Sequence, residues 1–229
     1  GVDTLFCLPG VQNDWLFNAL YDDGKMRIIH TRHEQGAGYM ALGYAMATGG
    51  VGVYSVVPGP GFLNASAALA TAYGLNARVL CLSGQIPSTD IGRDFGHLHE
   101  IPDQMSIMRS LTKWSERTNH ASEIPATLGQ AFKQLSSGRP RPVGVEIPMD
   151  VLAQKAAVDE PIAHNDPHHP PVDTALLEQA AELLANAKQP MIFVGSGALE
   201  MSSQVRALSD ILQAPVVSYR TGKGIQDER

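Results

Sequence analysis

Hydrophobic residues along the chain fall into short apolar runs that alternate with longer stretches of helical or alanine-rich character. The apolar runs have the length of buried strands and lie at 4–8, 27–31, 51–57, 78–83, 111–117 and 143–147. Helices are predicted between them, at 15–23, 34–48, 62–73, from about residue 103, and at 122–136. Because strands that alternate with helices build parallel sheets covered on both faces, we expect an α/β fold with an open parallel sheet.

A change of composition marks a domain boundary. The first domain is predicted to cover residues 1–152, and residues 153–172, rich in proline and polar side chains, are interpreted as a linker. Residues 173–229 then show a helix and two strands, which indicates the start of a second, Rossmann-like α/β domain. The linker histidines form a possible metal cluster, but no second ligand group lies nearby, and we interpret them as solvated: His164, His168 and His169.

One turn in the second domain has a nucleotide-binding character. Gly195-Ser196-Gly197 follows a predicted strand, as in dinucleotide-binding proteins. The full pattern requires a further glycine where Glu200 stands, so a plain strand-to-helix turn is favoured over a nucleotide-binding protein.

Composition and charge exclude some classes of function. With 44% hydrophobic and 17% charged residues, the chain has the composition of a soluble globular protein. A net charge of -6 and the lack of a Lys/Arg cluster in the sequence argue against a nucleic-acid surface. No run approaches the roughly 20 apolar residues of a membrane span. Cys7 and Cys81 lie in apolar runs, so we expect buried free thiols in a cytoplasmic protein, although adjacent strands would bring the two close.

Glu34 stands where an apolar run meets a helix of small residues. The glycines Gly36, Gly38 and Gly43 lie in this helix, although each costs about 1 kcal/mol relative to alanine. Their presence predicts that another backbone or a flat ligand approaches this helix closely. Glu34 would lie at the edge of that contact, where it would be poorly hydrated. Two interpretations remain: a functional carboxyl group in a dry junction, or an ordinary first-turn acid favoured by the helix dipole.

Further special turns follow other predicted strands. Pro9-Gly10 ends the first strand, and Gly59-Pro60-Gly61, with Asn64 one helical turn later, ends the third. Since ligands of open α/β sheets bind at the carboxyl ends of the strands, these turns and Glu34 predict one site. The long stretch from 84 to 102 begins at the same edge, and loops of this length are often functional. Its histidines, His97 and His99, are either proton shuttles or solvent-facing loop residues.

Taken together, these segments resemble the aminopyrimidine-binding (PYR) domain of thiamine diphosphate enzymes. The resemblance rests on the order and spacing of Leu8-Pro9-Gly10, Arg32-His33-Glu34-Gln35-Gly36-Ala37, Gly43-Tyr44-Ala45, Gly59-Pro60-Gly61-Phe62-Leu63-Asn64, Leu82-Ser83-Gly84-Gln85, Thr112-Lys113-Trp114 and Glu146-Ile147-Pro148-Met149-Asp150. The chain is most similar to the acetolactate synthase, oxalyl-CoA decarboxylase and benzoylformate decarboxylase group. Residues 173–229 resemble the opening half of that group's central domain, including Thr221-Gly222-Lys223-Gly224.

The resemblance implies roles for individual residues. The family's matching glutamate hydrogen-bonds N1′ of the cofactor's aminopyrimidine, promotes its imino tautomer and is protonated when bound, which assigns this role to Glu34. By the same matching, Gln85 lies near the reacting atoms and His99 belongs to the catalytic loop. The residues implied around the pyrimidine and thiazolium rings are Pro9, Gly10, Pro60 and Asn64.

The resemblance also implies cofactors and partners. We expect thiamine diphosphate with Mg²⁺, whose diphosphate and metal site belongs to a third domain outside this sequence, so no metal ligand is assigned here. FAD is a possible further cofactor but is not indicated. The substrate is expected to be a 2-keto acid that is decarboxylated, after which the resulting carbanion is protonated or ligated. We further expect a piece, inactive alone, of an enzyme of roughly 550 residues, with an active site shared between subunits of a homo-oligomer. The alternative is a noncatalytic binding or regulatory module of the same fold.

Several positions depart from the acetolactate synthases. Leu98-His99-Glu100 stands where those enzymes usually carry Phe-Gln-Glu, and some 2-keto acid decarboxylases place histidines in this loop. Val11 replaces a second glycine after Pro-Gly, Val57-Pro58 replaces Thr-Ser, and Met149 replaces a lysine. Decarboxylase and carboligase therefore both stay open, as does the identity of the substrate.

Overall fold

The computed structural model describes residues 2–157 and 171–226. The chain divides between residues 169 and 170 into two compact units. Most of the predicted linker lies outside the described residues, and so do His164, His168 and His169. Within the described part, no helix is both long and apolar enough to cross a membrane.

The first unit is built on a six-stranded sheet in the order β2-β1-β3-β4-β6-β5, and every neighbouring pair is parallel. Its strands are β1 (Thr4–Cys7), β2 (Arg27–His30), β3 (Gly52–Val56), β4 (Val79–Gln85), β5 (Trp114–Arg117) and β6 (Val143–Pro148). Its helices are α1 (Asp14–Asp23), α2 (Glu34–Thr48), α3 (Pro60–Leu75), α4 (Gln104–Leu111), α5 (Ile124–Ser136) and the short α6 (Met149–Leu152). The predicted open parallel α/β sheet is confirmed.

Side chains that alternate along the strands fill a core on each face of the sheet. Phe6 and Tyr54 pack with α2, α3 and α4 on one face, whereas Leu5 and Val53 pack with α1 and α5 on the other. All four are almost fully buried. Because burying one such side chain stabilises the fold by about 1.5–3 kcal/mol, the two cores fix the strands and therefore the ends from which the loops emerge.

The small-residue helix α2 packs closely against its own chain. A Cβ atom added at Gly38 would lie 2.7 Å from Cβ of Ala68 in α3, and one added at Gly52 would lie 1.9 Å from the Ala41 carbonyl oxygen. The predicted close approach of another backbone is thus found at Gly38, where the neighbour is α3. Gly43 has open space around its Cβ position, so packing within the chain gives no reason for that glycine.

Several element boundaries differ from the predicted ones. The fifth strand begins at Trp114 rather than at 111, because Leu111 ends α4 and Thr112 Oγ1 donates to the Met108 carbonyl oxygen. Helix α3 begins two residues early, since Pro60 has the fixed φ that suits a first helical position. Helix α6 was not predicted.

Both cysteines are buried and free, as expected. They lie on β1 and β4, which are separated by β3, so the two thiols are not on adjacent strands. Burial raises the pKa of Cys7 to about 11 and that of Cys81 to about 12, which keeps both thiols protonated and unreactive near neutral pH.

The second unit contains a parallel pair of strands, β7 (Ile192–Val194) and β8 (Val216–Ser218). Helix α7 (Thr174–Ala185) precedes β7 and is capped by Asp173, whose carboxylate accepts from the Ala175 and Leu176 amides. Helix α8 (Ser202–Leu212) joins the strands, so the predicted Rossmann-like opening is confirmed. The helix after Gly195 was predicted to begin at once, but a 3₁₀ turn at Ser196–Ala198 comes first.

Candidate active site

Four neighbouring strands end at one edge of the sheet, and their following residues make direct contacts with one another. The strands β2, β1, β3 and β4 are adjacent in that order, so the segments after them emerge side by side. These segments hold Glu34, Pro9-Gly10, Gly59-Pro60-Gly61 and the loop of His99. The structure therefore gathers the predicted turns at the edge where ligands of open α/β sheets bind.

Glu34 is the first residue of α2. His33 caps the helix, because its Nδ1 accepts from the Gln35 amide at 3.2 Å. Glu34 Oε2 accepts from Asn64 Nδ2 at 2.9 Å, which ties the first turn of α2 to α3. The other oxygen, Oε1, lies 3.5 Å from the position that a Cβ atom on Gly61 would take.

Glu34 is only half-buried in the single chain, so the expectation of a carboxyl group short of water is wrong here. The reason is that the small residues of α2 pack against α3 and β3, beneath the helix, and do not enclose its first turn. Glu34 therefore presents a carboxylate with one oxygen held by Asn64 and the other beside a residue with no side chain.

The turn after β3 requires glycine at its centre. Gly59 has φ 57° and ψ -120°, and a Cβ atom there would lie 2.3 Å from the His99 carbonyl oxygen. Its amide donates to Gln104 Oε1 at 2.8 Å. Pro60, which follows, is exposed and opens α3. The turn is therefore held from two sides, by the loop of His99 and by the first residue of α4.

The turn after β1 lies against the end of β3. A Cβ atom on Gly10 would come within 2.7 Å of Val57 Cγ1, so glycine allows the close approach. The Gly10 amide donates to Asn13 Oδ1 at 2.8 Å, and buried Asn13 in turn donates to Ser55 Oγ at 3.4 Å. Pro9 stands exposed at the tip of the turn.

The two loop histidines have different environments. His99 Nδ1 lies 3.0 Å from Gln12 Oε1, and the His99 backbone has a φ of +70°. A left-handed conformation in a residue other than glycine costs of the order of 1–3 kcal/mol and is kept only where its surroundings impose it. His97 instead lies 2.8 Å from Asp90 Oδ2, and its amide donates to Glu100 Oε2. His99 is thus joined to the turns of the site, whereas His97 is bonded within its own loop.

A buried carboxyl group lies behind these turns. Glu146 on β6 is fully buried, accepts from Gln104 Nε2 at 2.7 Å and is paired with Arg117 of β5. Burial raises the pKa of Glu146, and the Arg117 charge and hydrogen bonds from Arg117, Gln104 and Gln85 only partly oppose the shift. Gln104 therefore links the turn at Gly59 to this carboxyl group through its two amide atoms.

Gln85, predicted near the reacting atoms, is buried at the end of β4. Its Oε1 accepts from the Ile86 amide at 2.8 Å, and its side chain also contributes to the hydrogen bonding of Glu146. In this chain Gln85 thus belongs to the buried network behind the turns. The other predicted site residues, Glu34, Gly10, Asn64 and His99, contact the turns directly or form them.

The residues at this edge suit one part of thiamine diphosphate, its aminopyrimidine ring. Glu34 Oε1 has no hydrogen-bond partner among the described residues, and a carboxyl group is the partner that a pyrimidine ring nitrogen needs. Glycine at 61 lets the Val57 side chain pack against the start of α3, because a Cβ atom there would lie 2.6 Å from Val57 Cγ2. Among the described residues, no group of three or more His, Cys, Asp or Glu side chains is arranged to hold a metal ion. The donor set fits the aminopyrimidine and offers no site for the Mg²⁺ that accompanies the diphosphate.

Two surface depressions lie away from these turns. One of about 590 Å³ is beside Arg117, and one of about 390 Å³ is beside Lys113. Neither is lined by a predicted site residue. The chemistry of Glu34 and its neighbours, rather than the depth of a pocket, locates the candidate site.

Comparison with known proteins agrees with this geometry. Residues 1–107 match the family description "Thiamine pyrophosphate enzyme, N-terminal TPP binding domain", and residues 177–229 match "Thiamine pyrophosphate enzyme, central domain". The chain belongs to the thiamine pyrophosphate enzyme family. The resemblance inferred from the sequence is confirmed, and the N-terminal match precedes the central one along the chain.

Relatives of this thiamine pyrophosphate enzyme chain include both decarboxylases and synthases. It is 39% identical over 227 residues to the probable 2-ketoarginine decarboxylase of Pseudomonas aeruginosa, covering 98% of this chain and 40% of that protein. It is 35% identical over 242 residues to the mitochondrial acetolactate synthase catalytic subunit of Saccharomyces cerevisiae, covering 99% of this chain and 34% of that protein. The chain therefore spans well under half the length of these relatives.

A solved structure has the same fold. The thiamine diphosphate-dependent 4-hydroxybenzoylformate decarboxylase of Rhodococcus jostii superposes with a TM-score of 0.84 at 24% identity, over 95% of this chain and 41% of that one. At this identity the likeness concerns the fold, which it confirms.

Sequence reasoning did not single out three amides that organise the site. Gln12, Asn13 and Gln104 are each at most 3% exposed and bond to the turns or to His99. The available signal was the position of Gln12 and Asn13 directly after Pro9-Gly10, at the end of a buried strand. Gln104 gave no such signal, since its partners are distant in sequence.

Proposed function

We propose that the complete protein is a thiamine diphosphate-dependent enzyme that decarboxylates a 2-keto acid. The carbon that loses CO₂ is then protonated or joined to a second carbonyl compound. The observation that carries this proposal is Glu34 at the start of α2, with Oε2 held by Asn64 and Oε1 without a hydrogen-bond partner among the described residues. That arrangement offers one carboxyl oxygen to a pyrimidine ring nitrogen.

The other site residues take supporting roles in this proposal. Asn64 fixes the carboxyl group of Glu34, while Pro9, Gly10 and Pro60 form the backbone walls around the rings. Gln85 supports the turns indirectly, because it belongs to the buried hydrogen-bond network around Glu146. The contacts that support these roles are those of Gly10 with β3, of Gly59 with His99 and of Asn64 with Glu34.

This chain's own residues orient the cofactor and manage protons. When bound, thiamine diphosphate supplies the nucleophilic carbon and the electron sink that decarboxylation requires. Glu34 holds a proton at Oε1 toward the pyrimidine, and the glycines let the turns pack against Val57 and His99. His99 supplies an imidazole whose Nδ1 is held by Gln12. The diphosphate and Mg²⁺ are assigned to a domain outside this sequence.

The type of reaction follows from the relatives and the loop. One relative is named for decarboxylation of 2-ketoarginine, which is a 2-keto acid, and another for synthesis of acetolactate. The imidazole of His99 lies beside the site turns and suits a reaction that ends in protonation, so a decarboxylase is favoured over a carboligase. The substrate is proposed only as a 2-keto acid.

We further propose that two copies of the protein share each active site. Glu34 is half-buried in one chain, and the exposed side of α2 next to it carries Tyr39, Met40 and Met46. A second subunit on this side would cover both the apolar side chains and the edge that holds Glu34. The exposed apolar side chains support an interface of this kind.

The experiment that tests the function is the Glu34→Gln exchange in the complete protein. Gln keeps the size of the side chain and removes the acid, so decarboxylation of a panel of 2-keto acids should fall by at least about a hundredfold. The matched control is Glu116→Gln on β5, an exposed acid outside the site, which should retain wild-type activity. Release of CO₂ with and without added thiamine diphosphate is the measurement. Wild-type turnover by Glu34→Gln would refute the role of this residue.

A noncatalytic module of the same fold is the second candidate, and the fit of Glu34 to the pyrimidine alone does not distinguish the two. Two measurements on the complete protein distinguish the enzyme from the module. Thiamine diphosphate binding by calorimetry together with CO₂ release supports the enzyme, whereas the absence of both supports the module.

A further inference from the structure

Gln12 is a buried amide outside the predicted site. It lies in a 3₁₀ turn, Val11–Asn13, directly after β1, and only 3% of it is exposed. Its backbone is packed tightly, because a Cβ atom added at Gly84 of β4 would lie 2.7 Å from the Gln12 carbonyl oxygen. A buried amide on a fixed backbone holds its side chain in a defined place.

The neighbours of Gln12 determine which way its amide points. Gln12 Nε2 donates to the Leu98 carbonyl oxygen at 2.9 Å. A carbonyl oxygen only accepts hydrogen bonds, so the reversed amide would set two acceptors against each other. The nitrogen must therefore face Leu98, and Oε1 must face His99 Nδ1, 3.0 Å away.

This orientation decides the tautomer of His99. An amide oxygen only accepts, so Nδ1 must carry the hydrogen that forms the bond. We propose that Gln12 is a positioning residue that holds neutral His99 as the Nδ1–H tautomer, which leaves Nε2 as the ring atom that gains or loses a proton at the site.

The bond to Gln12 is compatible with both charge states of the ring. Neutral and protonated imidazole both carry a hydrogen on Nδ1 in this arrangement, so protonation at Nε2 does not break the bond. Nε2 has no hydrogen-bond partner among residues 2–157 and 171–226. Gln12 thus keeps the ring in one orientation while a proton comes and goes at the opposite nitrogen.

The backbone of His99 is held in place as well as its ring. Its φ of +70° lies in the left-handed region, and its carbonyl oxygen occupies the space that a side chain at Gly59 would need. The ring is held by Gln12 on one side and its backbone by the site turn on the other. The role of Nε2 in proton exchange rests on the proposed function, but the tautomer does not.

The test is nitrogen NMR of the full 229-residue chain labelled with ¹⁵N-histidine, with His99 assigned by loss of its signals in His99→Gln. We expect a protonated Nδ1 and an unprotonated Nε2 for neutral His99. His33 is an internal reference of the opposite kind, because its Nδ1 accepts from the Gln35 amide and its hydrogen must lie on Nε2.

Two variants complete the test. Gln12→Leu removes the acceptor and should shift His99 toward Nε2–H, while Gln12→Glu keeps an acceptor for Nδ1 and should retain the wild-type tautomer. The dispersed backbone amide spectrum of the chain should be retained in both and so report correct folding. An Nε2–H tautomer in the wild-type chain, or an unchanged Nδ1–H tautomer in folded Gln12→Leu, overturns the inference.

A separate test measures the catalytic activity of variants of the complete protein. Gln12→Leu should lower kcat more than it changes KM, and Gln12→Glu should restore part of kcat. If the tautomer changes but kcat does not, the positioning role in catalysis is refuted. Full activity of Glu34→Gln would instead refute the proposed function. The two failures are therefore distinguishable, because each is detected in a different variant.

Discussion

At the scale of single residues, the site depends on buried polar groups that hold exposed ones. Glu34 and Asn64 form a pair near the surface, whereas Gln104 and Glu146 lie beneath the turn at Gly59 without exposure to water. The Gln104 amide uses both its donor and its acceptor, as buried polar groups must. These buried bonds fix the turn that lies next to the surface pair.

Glu146 makes stability depend on pH in a defined direction. Its pKa is raised above the ordinary value of 4.5, so the native protein binds this proton more tightly than the unfolded chain does. As the pH rises above 4.5, the free energy of unfolding should therefore decrease until the pH has passed the raised pKa. Glu146→Gln removes this contribution, so its unfolding free energy should fall less steeply over the same range.

Urea unfolding of the 229-residue chain between pH 4 and pH 7 is the measurement. The slope against pH, rather than absolute stability, is compared, since Gln at this position also changes the bonds to Arg117 and Gln104. Glu116→Gln controls for the loss of one negative charge at an exposed site. Equal slopes for the wild type and Glu146→Gln would show that the carboxyl group titrates alike in both states.

At the scale of elements, two glycines of one helix have opposite environments. Gly38 is buried against α3, whereas Gly43 is exposed with open space at its Cβ position. We expect Gly38→Ala to destabilise the chain by about 1–3 kcal/mol, because the new methyl group forces α3 outward. Gly43→Ala should stabilise it by up to about 1 kcal/mol, because alanine favours the helix.

Thermal unfolding of both variants measures the difference. The two exchanges add the same methyl group to the same helix, so each serves as the control for the other. A lower melting temperature for Gly43→Ala would contradict the open environment, and an unchanged one for Gly38→Ala would contradict the tight packing against Ala68.

The sequence predicted elements well where local patterns decide them. Apolar runs such as 79–83 and 143–147 are strands because they are buried from both faces of the sheet, and this composition is visible in the sequence. The meeting of Glu34 with Asn64 was also predictable, since parallel strands place their following turns at one edge. The bond of Gln12 to His99 was not, because it joins residues 87 positions apart through the order of the strands.

At the scale of the whole molecule, the exposed apolar side of α2 and α3 distinguishes one face of the first unit. Tyr39, Met40 and Met46 are 40%, 42% and 57% exposed, and Leu63 on α3 is 44% exposed. We expect this side to bind a second copy of the protein, so Met46→Lys should weaken self-association by burying a charge in the interface.

Sedimentation of the complete protein over a range of concentrations tests this expectation. The control is Tyr21→Lys, which changes a residue that is 84% exposed on α1, at the opposite face of the sheet. It should associate like the wild type. If Met46→Lys and wild type associate equally at every concentration, the interface lies elsewhere.

The contact of Gly59 with the His99 carbonyl divides the loop between β4 and α4 into two parts. The two parts differ in how well they should tolerate substitution in enzyme engineering. Residues 92–96 are exposed, so libraries can vary Arg93 and Phe95 without disturbing the turn, whereas Gly92 and Gly96 have positive φ and a side chain there would strain the backbone. His99 has no such freedom, because its backbone occupies the space above Gly59. Selection for new substrates should therefore accumulate changes in the first part and preserve the second.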